Sequence, residues 1–303
     1  MTAKGIYSRI KDALKKTTVE PYMFLVMFAF NARLVTLQSL LHDRACRVVL
    51  NFSSETCDGL EDENNNKEQL LAISYGNDIY TGTVLMSTIP ALVIASFLGP
   101  WSDRYSRKYP LLMATAGILI DSTLQTIITS FSKASPYWFI ASSAVSGFSG
   151  GLVIVISSTY SYMSDITDER SRNVRFAILE FFTIMATPTG SLVGGQVYDK
   201  YGYLPVMLIV PCSLTLALLW VRLYVLETKP KRFDITKKEM FMDVLRYDNM
   251  KKSFKTCIKE RPGNLRMQIW LLLFTSFSLR LIHMGSIAIG FSYTRKVFKW
   301  VVT

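Results

Sequence analysis

The feature that most constrains this chain is a series of long apolar runs, each close to the length that a helix needs to cross a bilayer. A hydrocarbon core about 30 Å thick requires about 20 helical residues. Half of the 303 residues are apolar and 19% are charged, a composition typical of multi-spanning membrane proteins. We therefore predict an all-α membrane protein with seven transmembrane segments, at residues 22–41, 80–98, 109–131, 137–162, 176–197, 203–225 and 269–291.

The formal net charge of +11 comes from bases that cluster between the apolar runs. Such clusters indicate membrane topology and anionic lipid, so the bilayer is the predicted partner and nucleic acid is not. The clearest cluster is the turn at residues 99–108, where Asp103 lies beside three bases, Arg107 among them. Short basic loops stay in the cytoplasm. This rule orients every span and predicts a cytoplasmic N-terminus, with residues 1–19 forming a basic amphipathic segment on the inner leaflet.

The polar loop at residues 42–79 is rich in acids and is predicted to lie outside. It contains Asn51, in the sequence Asn-Phe-Ser that accepts N-linked sugar on the luminal side. This second, independent signal agrees with the orientation set by the basic turn. The loop also holds Cys46 and Cys57, which an oxidising exterior allows to form a disulfide. No cysteine or histidine has metal-ligand spacing, so no metal site is predicted.

Four regions follow along the chain: the segment 1–19, a six-helix unit 20–227, a basic cytoplasmic linker 228–266, and a seventh helix with a shortened outer loop in 267–303. Six spans followed by a long inner loop resemble the N-terminal half of a major-facilitator transporter, which is built as two three-helix repeats. A whole transporter of this type has twelve spans. The chain is therefore expected to be truncated, with a full-length or second-half transporter as its partner.

Several stretches resemble solute carrier family 46, the family of the proton-coupled folate transporter, in an arthropod-like form. They include Ala45-Cys-Arg-Val, Gly99-Pro-Trp-Ser-Asp-Arg-Tyr-Ser-Arg-Lys, Tyr160-Ser-Tyr-Met-Ser-Asp, Leu179-Glu, Glu227-Thr and His283-Met-Gly-Ser. The resemblance implies uptake of folate-like or other organic anions together with protons by alternating access, with the proton as the coupling ion and no other cofactor. The chain is then not an enzyme, and the plasma membrane is preferred to the lysosomal membrane. The alternatives are a fragment or assembly partner that does not transport, and an exporter that exchanges solute for protons.

The resemblance also assigns roles near the inner face. Asp103 and Arg107 would brace the cytoplasmic ends of the two transporter halves, and Asp165 would be their counterpart in the second repeat, near Arg170, Arg172 and Arg175. The simpler interpretation is that these charges hold topology and solvate helix ends. Ser106 stands where the family has glycine, so the turn must form without a residue suited to positive φ.

Two ionisable groups are predicted to couple protons. Glu180 lies inside the fifth span, where a carboxylate is costly and its proton affinity rises as water leaves. His283 lies midway along the seventh span and titrates near neutral pH. The resemblance supports both roles. The alternatives are a Glu180 that lies near the interface and either pairs with Arg175 or extends its carboxylate to the membrane surface, and a His283 that makes an inert polar contact. Arg280 shares a helix face with His283 and could meet an anionic substrate.

Charges at membrane depth also mark a predicted solute cavity. Arg33 in the first span and Asp121 in the third lie where unpaired charges are expensive. They either pair with each other or line a solute cavity, to which Asn31, Gln38 and Gln125 could add hydrogen bonds. Glycines in the fourth and fifth spans are predicted to allow close helix packing. For the cysteines, the family resemblance leaves open a second pairing, with a cysteine beyond the seventh span.

Overall fold

The computed structural model describes residues 18–58, 67–229 and 264–298, together with scattered residues between 239 and 259. Its regular structure in these ranges is helical, and a short π-helical turn, Ala45–Val49, extends the first helix. The helices are α1 Glu20–Arg44, α2 Ser54–Asp58, α3 Lys67–Arg104, α4 Lys108–Ser130, α5 Tyr137–Phe148, α6 Gly151–Ile166, α7 Arg172–Tyr201, α8 Tyr203–Tyr224 and α9 Leu265–Phe298. Within the described ranges, six segments are long and apolar enough to cross a membrane: α1, α3, α4, α5 with α6, α7 and α8.

The packing of these helices follows two three-helix repeats, one formed by α1, α3 and α4 and the other by α5–α6, α7 and α8. The first helix of the first repeat packs against α7, the second helix of the second repeat. The reciprocal contact joins α5, the first helix of the second repeat, to α3. The third helices, α4 and α8, pack against each other. This reciprocal pattern agrees with the repeat architecture predicted from the sequence.

The α1–α7 contact depends on two glycines. A Cβ atom on Gly190 would lie 2.6 Å from the Phe28 carbonyl oxygen, and one on Gly194 would lie 2.6 Å from the Ala32 carbonyl oxygen. Both distances are too short for a real side chain beside backbone. Small residues spaced by four therefore let the two backbones approach closely, as the sequence predicts for this span.

The second span is much longer than its apolar run. The predicted outer loop 42–79 is largely helical in its described part, because α3 begins at Lys67. Gln69, Ala72, Gly76 and Ile79 are buried at spacings of three and four residues, so one buried helical face extends from the apolar run back into the predicted outer loop. At the other end α3 extends through Pro100 to Arg104. The predicted turn at 99–108 is thus reduced to residues 105–107.

The fourth span is broken, although the sequence predicts one helix over 137–162. Helix α5 ends at Phe148 and α6 begins at Gly151, with φ of +96° at Gly150 and +48° at Gly151. Positive φ cannot continue a right-handed helix, and glycine adopts it without a Cβ clash. Among the glycines of this fourth span, Gly147 allows close helix packing as predicted, since a Cβ atom on it would lie 3.2 Å from the Ser87 carbonyl oxygen.

The predicted seventh span falls within α9, a continuous helix from Leu265 to Phe298. Its described apolar part, Leu265–Leu279, is shorter than the six segments that are long enough to cross a membrane. The side chains from Leu265 to Leu279 are mostly exposed. Whether α9 crosses the bilayer stays a prediction. The amphipathic segment and most of the linker 228–266 lie outside the described residues.

Candidate functional site

A cavity of about 480 Å³ lies inside the six-helix unit, near the middle of the spans. Its wall is largely apolar, with polar side chains contributed by α1, α3, α4 and α5. The polar lining residues are Arg33, Tyr80, Thr83, Ser87, Thr88, Asp121, Gln125, Ser143 and Ser146. An apolar cavity with a few convergent polar groups is typical of a small-molecule site.

Arg33 and Asp121 meet in the wall of this cavity. Arg33 Nη1 lies 3.4 Å from Asp121 Oδ2 and donates to Gln125 Oε1 at 3.0 Å. Gln125 in turn donates from Nε2 to Asp121 Oδ1 at 2.9 Å and to the Ser143 hydroxyl at 3.4 Å. Asp121 is only 2% exposed. The two predicted arrangements, an ion pair and a cavity lining, therefore occur together, while a role in substrate binding stays a prediction.

The other two polar residues predicted for this cavity lie elsewhere. Asn31 donates to the backbone carbonyl of Met27 in its own helix, at 2.8 Å. Gln38 donates to Asn77 Oδ1 at 3.2 Å, near the outer end of α1. Each amide is satisfied without reaching the cavity. Helical periodicity along one span cannot tell which polar side chains face a cavity that several helices enclose.

At the face predicted to be cytoplasmic, the three residues predicted to form a brace are in contact. Arg107 is 8% exposed and pairs with Asp103. It also donates from Nε to Asp165 Oδ2 at 2.8 Å and from Nη1 to the Ser102 hydroxyl at 3.0 Å. Lys229 Nζ lies 2.8 Å from the same oxygen of Asp165. The cluster therefore joins the inner ends of α3 and α6 to the start of the linker. Its role in gating stays a prediction.

Glu227 was recognised only as part of a family motif, and the structure shows what it does locally. Its carboxylate accepts hydrogen bonds from the backbone N–H of Arg107 at 2.8 Å and from the Ser106 hydroxyl. A carboxylate stabilises a helix N-terminus, here that of α4. Ser106 itself caps the helix by accepting from the Tyr109 N–H at 3.0 Å. The turn therefore forms with Ser106 at negative φ and needs no glycine.

Glu180 does not pair with Arg175. It accepts a hydrogen bond from the Tyr160 hydroxyl of α6, and its side chain is exposed on α7. Arg175 instead lies with Nη2 3.2 Å from Glu20 Oε1, and Glu20 is fully buried at the start of α1. The sequence gives Glu20 no distinguishing signal beyond its place before a proline at the helix start. Its burial depends on how α1, α7 and α8 pack.

The two predicted site residues of the seventh span are placed only by their backbone. Arg280 and His283 both lie within α9, three residues apart. Their side chains are outside the described residues. Their predicted roles in anion contact and proton coupling therefore stay predictions.

In the loop predicted to lie outside, Cys46 and Cys57 are joined by a disulfide, with their Cα atoms 5.8 Å apart. Asn51 lies between them, exposed and at φ of +51°. An exposed asparagine in irregular backbone is accessible for modification. Arg44, which the sequence did not single out, is buried and donates to the carbonyls of Thr129, Phe131 and Ser132 at the end of α4.

Residues 64–303 match the family model of the Major Facilitator Superfamily. The crystal structure of the human organic anion transporter MFSD10 is similar with a TM-score of 0.63 at 15% identity, over 93% of this chain and 65% of that one. At this identity the likeness supports the fold. Within the described ranges, no group of three His, Cys, Asp or Glu residues could hold a metal ion.

Relatives of similar sequence belong to solute carrier family 46. The probable peptidoglycan muropeptide transporter SLC46 of Drosophila melanogaster is 22% identical over 94% of this chain and 56% of its own length. The bovine proton-coupled folate transporter is 23% identical over 91% of this chain and 58% of its length. Human SLC46A3, a lysosomal proton-coupled steroid conjugate and bile acid symporter, is 26% identical over 65% of this chain and 42% of its own length.

The chain thus spans about half the length of the relatives that it matches. The fold, the apolar helices and the relatives are those of membrane transporters and not of enzymes. The match to the family model covers most of the sequence. The chain is a multi-pass membrane protein of the Major Facilitator Superfamily, similar to its SLC46 members.

Proposed function

We propose that this chain forms the N-terminal half of a proton-coupled transporter that takes up organic anions by alternating access. The observation that carries the proposal is the cavity within the six-helix unit, whose wall contains the ion pair of Arg33 and Asp121. Ionisable residues inside transmembrane segments are rare and mark substrate or ion pathways. A cation with unused hydrogen-bond donors in an apolar cavity favours an anionic solute.

The relatives support the same class of function. Their names describe carriers of a muropeptide, of folate, and of steroid conjugates and bile acids. Two of those names specify proton coupling. Since the match covers about half of each relative, we propose that a second half, in the same or a partner chain, completes the transport pathway.

Glu180 is the proposed proton carrier. It lies on the exposed face of α7, where a second half would pack, and its contact with the Tyr160 hydroxyl links α7 to α6. A second half that moves against this face would alternately cover and expose the carboxylate, and ionisable residues in membrane spans are typical of proton pathways. His283 of α9 is the proposed second group.

The inner cluster of Asp103, Arg107 and Asp165 is proposed to hold the cytoplasmic ends of the helices in one of two arrangements. We propose further that the N-terminus lies in the cytoplasm and Asn51 outside. We propose the plasma membrane as the site of action, with the lysosomal membrane as the alternative. Protease protection in sealed vesicles and co-localisation with organelle markers test these assignments.

The experiment that tests transport measures uptake at pH 5.5 and pH 7.4 in cells that express the chain. The labelled probes are folic acid, a bile acid, a steroid sulfate and a muropeptide. We expect acid-stimulated uptake of at least one probe, and loss of that stimulation in Glu180→Gln. Asp199→Asn is the matched control, because Asp199 is an exposed carboxylate at the outer end of the same helix.

Absence of uptake by protein that is shown to be at the cell surface would contradict transport by the chain alone. It would favour the alternative of a fragment or assembly partner, which co-expression with a full-length relative tests. An exporter that exchanges solute for protons predicts the opposite direction of flux. Inside-out vesicles with an imposed proton gradient distinguish uptake from export.

A further inference from the structure

The break in the fourth span leaves unpaired backbone donors at the cavity. The first N–H groups of a helix have no acceptor one turn earlier in the same helix. Here these groups belong to Gly151, Leu152 and Val153, and all three residues line the cavity. In the described part of the chain, the first backbone N–H of α6 that donates a hydrogen bond is that of Ile154, to the Gly150 carbonyl oxygen. The positive end of α6 therefore opens into the cavity.

A hydroxyl that makes no hydrogen bond to the described residues lies beside this helix end. Ser146 is 5% exposed and lines the cavity. A Cβ atom on Gly151 would lie 3.5 Å from the Ser146 hydroxyl oxygen, so the hydroxyl is adjacent to the start of α6. Other hydroxyls of α5, such as those of Ser142 and Ser143, donate to a backbone carbonyl of their own helix. That of Ser146 makes no hydrogen bond among the described residues and is therefore available to a solute in the cavity that the residue lines.

Arg33 provides a third set of unused donors. Its contacts to Asp121 and Gln125 both use Nη1. Within the described ranges, its Nε and Nη2 groups make no hydrogen bond. Gln125 connects this guanidinium to Ser143, one helical turn before Ser146. The arginine, the hydroxyl and the helix end therefore lie along connected parts of one cavity wall.

We propose that the N-terminus of α6, the Ser146 hydroxyl and the free edge of Arg33 form a subsite for the carboxylate of an anionic solute. Backbone N–H groups at a helix N-terminus bind anions, and arginine binds a carboxylate through two parallel hydrogen bonds. The apolar remainder of the cavity accommodates the body of the solute. The inference deepens the proposed function, because it names the group of the solute that the cavity recognises.

Asp121 acts in this subsite as an internal competitor. Its carboxylate already holds one edge of Arg33 and places negative charge beside the cavity. A neutral side chain at this position releases the arginine and removes like-charge repulsion toward the solute. The subsite therefore predicts opposite effects for the two members of one ion pair. A purely structural pair predicts loss of stability from either change and no gain of binding from either.

The test measures equilibrium binding of benzoate and of its neutral isostere benzamide to the full chain in lipid nanodiscs, by titration calorimetry. We expect benzoate to bind about tenfold more tightly than benzamide, which is the effect of one charge-assisted hydrogen bond. Asp121→Asn is expected to strengthen benzoate binding severalfold. Arg33→Gln and Ser146→Ala are expected to weaken it, without changing benzamide binding. Ser213→Ala is the matched control, since Ser213 is buried but donates to the Leu25 carbonyl and does not line the cavity.

Equal binding of benzoate and benzamide, or weaker benzoate binding in Asp121→Asn, would overturn the subsite. The Asp121→Asn result does not depend on the folding of the arginine variant, because it predicts a gain. Binding is also independent of transport. A chain that binds benzoate selectively but takes up no solute contradicts only the proposed function, whereas proton-coupled uptake without this selectivity contradicts only the subsite.

Discussion

The ion pair between Glu20 and Arg175 makes a strong prediction about stability. Glu20 is fully buried, whereas 17% of the Arg175 side chain is exposed. Removing one partner of a buried pair leaves an uncompensated charge and costs about 3–5 kcal/mol. Because the carboxylate is the more deeply buried partner, Arg175→Met is expected to cost about this amount. A loss of 3 kcal/mol raises the equilibrium constant for unfolding by more than about 100-fold.

Glu20→Gln is expected to cost less than Arg175→Met. The amide oxygen can still accept from the Thr18 N–H, which now donates to the carboxylate at 2.7 Å. The released arginine can also turn its exposed end toward water. The double variant Glu20→Gln/Arg175→Met then has no buried charge at this position. It should recover most of the stability that Arg175→Met loses.

The assay is a denaturant titration of the purified variants in detergent micelles, followed by tryptophan fluorescence. Trp220 is a local reporter, because its indole N–H donates to the Thr18 carbonyl at 2.7 Å. Arg170→Met is the matched control, since Arg170 is exposed in the turn before α7. The reasoning is refuted if Arg175→Met is no more damaging than Arg170→Met, or if the double variant is no more stable than Arg175→Met.

Two further predictions concern helix packing and topology. Gly194→Ala is expected to lower folded yield and thermal stability, because its methyl group would lie 2.6 Å from the Ala32 carbonyl oxygen. Gly195→Ala should be neutral, since no atom of the described residues lies within 4 Å of its Cβ position. Equal behaviour of the two variants in size-exclusion thermostability measurements would contradict this prediction. Asn51→Gln is expected to abolish a glycosidase-sensitive mass shift if residues 42–79 face the lumen, and an unshifted wild-type chain from glycosylating cells would count against that orientation.

The sequence by itself determined the class of protein and the approximate spans, because apolar length is a local property set by bilayer thickness. It also identified Asp103, Arg107 and Asp165, whose contacts follow from their places at the inner ends of helices. It could not give the ends of α3, because the polar residues that extend this helix are stabilised by burial on one face. Nor could it predict that Glu227 caps α4, a contact between residues 120 apart in sequence.

Only the tertiary structure decided which charges meet inside the protein. Arg33 and Asp121 are 88 residues apart, and several helices enclose the cavity that they line. The partner of Arg175 proved to be Glu20 and not Glu180, because α1 packs against α7 and α8. The break at Gly150 shows the same limit: glycines in an apolar run signal close packing, but the left-handed backbone that ends one helix and exposes the start of the next depends on the neighbouring helices.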